Sequence, residues 1–205
     1  MTSDSGYRAK PRQDRSEQTV ERILKAADEV YGELGVPAST TTLIAERAGL
    51  SVGALYRFYR DKTAIAEALS DRHLVELQAL FDEVATIVGD GRPDNIPPAV
   101  ERMVEGTAGL FKTHPGYFAV TRHLDPATPN SPAHHVRGMQ LDALSAWFSL
   151  AERSPDEATR RVMAGIMIDT TRALLERTPA RGAARKAHLE EATRMLTAYM
   201  MDRLG

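Results

Sequence analysis

The chain has 205 residues, 42% of them hydrophobic and 26% charged, which suits one or two small globular domains with a buried core. It has no cysteine, so disulfides and thiolate metal sites are excluded, and no apolar run is long enough to span a bilayer. A formal net charge of −2 excludes a generic polycation, and the polar start, Met1 to Arg15, lacks the apolar stretch of a secretory signal, so the expected location is the cytoplasm.

The first residues are locally basic: Arg8, Lys10, Arg12 and Arg15 face one nearby acid, Asp14. Such an arm (residues 1–15) can follow a phosphate backbone or a minor groove, or stay a solvated tail. Ser16 is the expected N-cap of the first helix. Its apolar positions, Val20, Ile23, Leu24, Ala27, Val30, Tyr31 and Leu34, keep helical spacing over four turns, and Gly35 ends it. Thr40 or Thr41 can cap a short second helix through Ala48. Gly49 permits a tight reversal, because a left-handed residue there tolerates no Cβ cheaply. Ser51 caps a short third helix ending near Tyr59, and Asp61 caps the fourth.

Two short helices joined by Ala48-Gly49-Leu50-Ser51 have the dimensions of a helix-turn-helix, packed through Ile44, Ala45, Ala48, Leu50 and Leu55. At this point the chain resembles the TetR family of bacterial regulators. The resemblance rests on Ala26-Ala27, Gly35, Thr41-Thr42, Ile44-Ala45, Ala48 through Ser51, Gly53, Leu55-Tyr56, Tyr59 and Lys62, and covers residues 19–69. It implies that residues 16–62 form a DNA-binding domain and residues 63–205 a helical body for ligand binding and dimerisation.

In such a head the third helix enters the major groove, its first residues nearest the base edges. Ser51, Val52, Gly53, Ala54 and Arg57 are the candidates there. Arg57 can fork onto guanine O6 and N7 or clamp a phosphate; Val52 and Ala54 can touch a thymine methyl. Thr41 and Thr42 can offer hydroxyls and N–H groups to a phosphate, and Arg47 and Arg60 are further cationic candidates. The resemblance adds Tyr56 and Lys62 as phosphate contacts. Phe58 stands where the family commonly carries a polar aromatic residue, so a hydroxyl contact is absent there. Tyr59 is expected to pack with its hydroxyl at the rim.

Beyond the break Gly89 to Pro98, Pro97-Pro98 opens a fifth helix to about Thr113, His114-Pro115 a short sixth, and Ser131-Pro132 a seventh. Ser154-Pro155-Asp156-Glu157 reads as a capping box for the eighth, and Thr178 to Gly182 separates the ninth. The fold class expected is therefore all-α, about nine helices: a three-helix head and a larger helical bundle. Helix eight carries Val162, Met163, Ile166, Met167, Leu174 and Leu175. Helix nine carries Leu189, Ala192, Met195, Leu196, Tyr199 and Met200. Both stripes are wide enough to serve a core and a partner, and the resemblance implies a homodimer through these last two helices. Met103, Phe111, Phe118, Trp147, Phe148 and Ile166 are the candidate lining of a mostly apolar ligand pocket between helices. Asp169, amid the apolar stripe of helix eight, is expected in a structural ion pair, with Arg172 or across a dimer interface.

The expected function is sequence-specific binding of double-stranded DNA at a palindromic operator, with repression relieved by a small ligand. The rivals are an all-helical enzyme and a helix-turn-helix regulator without an effector. No cofactor, metal site or membrane contact is expected: His123 and the adjacent His134-His135 do not make a chelating pattern, and no nucleophile triad, H-E-x-x-H or phosphate-cradling glycine loop occurs.

Overall fold

The computed structural model describes residues 10–124, 127–129, 131–179 and 182–205, with side chains from residue 15 onward. Among them are nine α-helices and no strand: α1 (Lys10–Ala38), α2 (Thr41–Arg47), α3 (Val52–Tyr56), α4 (Lys62–Val88), α5 (Ile96–Thr113), α6 (Tyr117–His123), α7 (Pro132–Ser149), α8 (Glu157–Glu176) and α9 (Gly182–Leu204). The all-α class expected from the sequence is thus what forms. None of these helices is long and apolar enough to cross a membrane.

Most ends follow the predicted chemistry. Thr40 caps α2 by accepting the Leu43 N–H, and Ser51 caps α3 by accepting the Ala54 N–H. Asp61 accepts the Ala64 N–H at 2.8 Å at the head of α4, and Ser131 caps α7 with Pro132 in its first turn. Gly35 breaks α1 with a φ of 75°. Three boundaries differ. The α1 backbone is already helical at Lys10, ahead of Ser16, so the arm's Lys10, Arg12 and Arg15 stand on a helix, while Arg8 lies outside the described residues. Helix α3 ends at Tyr56, short of Tyr59. Helix α8 is capped by Asp156, not Ser154: the Asp156 carboxylate accepts both the N–H and the hydroxyl of Thr159 at 2.9 Å, two bonds that Ser154 cannot match.

The chain forms two compact units. One holds the described residues through Leu69 together with His114–His123; the other holds Ser70–Thr113 and Leu124–Gly205. The start of α4 and all of α6 thus fall in the first unit.

In the first unit, Ile23, Ala27, Val30, Tyr31, Ile44, Ala45 and Leu55 are fully buried and make one core from α1, α2 and α3. Leu34, expected on the same stripe, is exposed; it lies in the last turn before the Gly35 break, where the chain turns away. Helix α6 packs on α1 through two glycines. A Cβ on Gly32 would stand 2.8 Å from Pro115, and one on Gly116 would stand 2.6 Å from the Asp28 carbonyl oxygen. In the second unit α7 packs on α8 and α5 on α9. Its core includes Val100, Val104, Leu144, Phe148, Met163, Leu196 and Met200.

Candidate DNA-binding face

The head holds α2 and α3 rigidly and leaves one side of α3 open. Leu55 is the buried residue of α3. The Leu50 N–H donates to the Ala45 carbonyl at 2.9 Å, closing the turn onto α2. Gly49 supplies the left-handed residue, with a φ of 65°. What remains outward is the set named from the sequence: Ser51, Gly53, Tyr56 and Arg57 are exposed, and Val52 and Ala54 are half-buried. Open space surrounds the position a Cβ would take on Gly53, so a flat surface can approach its backbone. Tyr56 is 52% exposed, unusual for so large a side chain. Its hydroxyl lies 3.1 Å from the Thr41 hydroxyl, so the first turn of α2 and the last turn of α3 present two hydroxyls as a pair. Thr42 is exposed beside them.

Arg47 and Lys62, both expected as phosphate contacts, hydrogen-bond within the head. The Arg47 guanidinium donates to both carboxylate oxygens of Glu33 at 2.9 Å, and reaches Glu29 at 3.5 Å. That pairing holds the Glu33 carboxyl below the usual carboxylate range and Arg47 above its own ordinary value. The Lys62 ammonium donates to the carbonyls of Pro37 at 2.6 Å and Ser39 at 3.0 Å. Arg22, which the sequence did not single out, donates to the carbonyls of Ala48 at 2.6 Å and Gly49 at 3.0 Å. Helix C-termini leave carbonyls without intrahelical donors, and a guanidinium is a natural partner for them; only the fold brings Arg22 to that end. Arg60 lies 3.4 Å from Asp61. Tyr59 is half-buried, and burial, then the Glu21 charge, pushes its hydroxyl pKa up.

The candidate ligand residues do not form one set. Phe148 and Trp147 are buried side by side, ring centroids 5.7 Å apart, and Met103 and Phe111 are half-buried, all in the second unit. Phe118 belongs to the first unit, where it meets Tyr117 edge-on at 5.9 Å. Ile166 is 50% exposed: the stripe of α8 has two faces, and Met163 and Met167 take the inner one. Asp169 is on the outer side too. It is half exposed and forms its ion pair chiefly with Arg137 of α7, at 2.7 and 3.0 Å, with Arg172 at 3.5 Å.

Comparison with known proteins agrees with this architecture. Residues 23–69 match the family model described as bacterial regulatory proteins, tetR family, and residues 95–200 match that of the tetracyclin repressor-like C-terminal domain. The chain belongs to the tetR family of bacterial regulatory proteins. The two matched stretches take in the helix-turn-helix head and most of the body of this family member. Over 102 residues it is 34% identical to an uncharacterized HTH-type transcriptional regulator of Mycobacterium tuberculosis, covering 49% of this chain and 51% of that protein. Over 98 residues it is 34% identical to the HTH-type transcriptional repressor BepR of Brucella suis, covering 47% and 44%. The chain thus spans about half the length of these curated relatives. A TetR-family transcriptional regulator from Streptomyces coelicolor shares the fold, with a TM-score of 0.65 at 24% identity, over 91% of this chain and 99% of that one.

Proposed function

We propose that this protein is a homodimeric repressor that binds a palindromic operator through two helix-turn-helix heads and is released by a small, mostly apolar ligand. One observation carries the DNA reading: Ser51, Val52, Gly53, Ala54, Tyr56 and Arg57 stand on the open side of a capped, rigidly packed α3. The Tyr56 and Thr41 hydroxyls are already paired at its edge. The first residues of α3 meet base edges, Arg57 forks onto a guanine or a phosphate, and the hydroxyl pair takes a phosphate oxygen. A helix this short buries too little surface alone, so a second head one DNA turn away, about 34 Å, supplies the rest.

The second copy is reached through the outer faces of α8 and α9. Val162, Ile166 and Met195 are exposed there, opposite the buried Met163, Met167, Leu196 and Met200. Ligand release needs a guest that prefers the form unable to reach both half-sites, by roughly 1–3 kcal/mol. Met103, Phe111, Trp147 and Phe148 support a site for such a guest in the body.

Selection of bound duplexes from a random pool by the purified full chain tests the reading. The expected product is a palindrome whose half-sites lie one or more helical turns apart. Enrichment of no sequence, at low salt and with protein in excess, would reject it.

A further inference from the structure

We infer that Arg22 and Arg47 are positioning residues that hold α2, and through it the recognition helix α3, at the angle DNA requires, and are not phosphate contacts. The inference rests on the DNA-binding reading above and deepens it.

Arg22 and Arg47 tie different parts of α2 to the rest of the head, and Lys62 steadies its approach. Lys62 holds the chain that leads into α2, because its ammonium sits on the carbonyls of Pro37 and Ser39, the latter one residue before the Thr40 cap. Lys62 is itself anchored, since the Tyr31 hydroxyl donates to its carbonyl at 2.7 Å from the buried face of α1. Arg47 ties the last residue of α2 sideways to α1 with a fork-on-fork pair to Glu33, the geometry that most restricts a guanidinium. Arg22 closes the far end by gripping the carbonyls of Ala48 and Gly49 from α1. Gly49 admits that grip: a Cβ there would lie 3.1 Å from the guanidinium nitrogen. With the far end and one side of α2 held, the direction of α3 is set by the Gly49 turn, which the Leu50 N–H closes onto Ala45, and by the buried Leu55.

The acids near Arg47 point the same way. A DNA backbone approaching Arg47 would also approach Glu33 and Glu29, both bound to that guanidinium, and the pair presents no net positive charge. Arg57, at the exposed C-cap of α3, stands on the face itself.

A phosphate contact and a brace leave different marks on binding. Removing a phosphate contact weakens binding to every sequence alike and flattens the slope of log K against log salt by about 0.9. Removing a brace tilts α3, so specific binding falls while non-specific binding and the slope persist. The test uses the full chain, a duplex it has selected, and a scrambled duplex of the same length, titrated between low and moderate salt. Arg47→Glu should lose ~10-fold or more on the selected duplex and little on the scrambled one. The swap Arg47→Glu with Glu33→Arg should recover most of that loss, with the wild-type salt slope. Arg22→Ala should lower the ratio of selected to scrambled binding without changing the slope, and Arg22→Lys should recover part of it. If the Arg47–Glu33 swap remains as weak as Arg47→Glu, or Arg22→Ala and Arg47→Glu each flatten the slope by about 0.9, the two are phosphate contacts and the inference is overturned. A wild-type chain that ignores every duplex overturns the DNA reading first, and this inference with it; thermal melts of each variant separate loss of fold from loss of angle.

Discussion

The Gly116 N–H donates to the Asp28 carboxylate at 3.0 Å, joining positions 88 residues apart inside the first unit. Asp28 is buried in the middle of α1, and His114 Nδ1 lies 3.6 Å from its other oxygen. From sequence alone His114-Pro115 only opens a short helix. In the fold it is a docking point, with Pro115 seated where Gly32 has no side chain.

Gly116→Ala should therefore destabilise the chain. The new Cβ would meet the Asp28 carbonyl oxygen, a backbone atom that cannot swing aside. Forced overpacking of this kind costs ~1–3 kcal/mol. In a thermal melt that is roughly 2–4 °C for each kcal/mol. An alanine variant with an unchanged melting temperature would show that α6 does not dock tightly on α1.

Tyr56→Phe should weaken binding to a selected duplex about 2- to 10-fold, the range for one hydrogen bond of modest net strength. Thr41→Ala should do the same. Because the two hydroxyls lie 3.1 Å apart, the double variant should lose less than the sum of the two, as expected when partners share one acceptor. Fully additive losses in an equilibrium titration would mean that the hydroxyls act on separate phosphates.

The head was readable in the sequence because its decisive features are local. Thr40, Ser51 and Asp61 cap the helices that follow them within three residues, and Gly49 marks a turn that needs a positive φ. What the sequence could not reveal depends on distant partners. Arg47 looks like a free cation until Glu33 is brought beside it, and Lys62 until Pro37 and Ser39 are. Ile166 and Leu34 lie on stripes of the right period, yet period alone cannot tell which face of a two-sided stripe meets the core. At α8 the competition was local but close: Ser154 fits a capping box, and Asp156 wins with two bonds to Thr159.

That cap predicts a pH dependence. The Thr159 backbone N–H, then its hydroxyl, holds the Asp156 carboxyl below its ordinary value. A carboxyl lowered in the folded state stabilises fully above the unfolded aspartate range, and the gain is lost as pH falls through the folded value. Asp156→Asn keeps a capping oxygen but does not titrate there. The variant should melt close to the wild type under strongly acidic conditions and slightly below it near neutrality. Parallel curves of melting temperature against pH for the two proteins would remove Asp156 from the acid response.

Ile166→Glu should split the proposed dimer. Ile166 is exposed between Val162 and Asp169 on the outer side of α8. In a twofold contact between outer faces, each copy would bring a new carboxylate to the apolar centre, close to Asp169 and with no cation added to meet it. A charge buried without a partner is costly. Sedimentation velocity should then give a species near the single-chain mass of 22.5 kDa. Duplex binding should weaken sharply, because one head reads only one half-site. Val75→Glu is the control: Val75 is 70% exposed on α4, away from α8 and α9 in sequence, and a charge there should leave the dimer intact. If Ile166→Glu stays dimeric while Val75→Glu dissociates, the contact is not made by the outer face of α8.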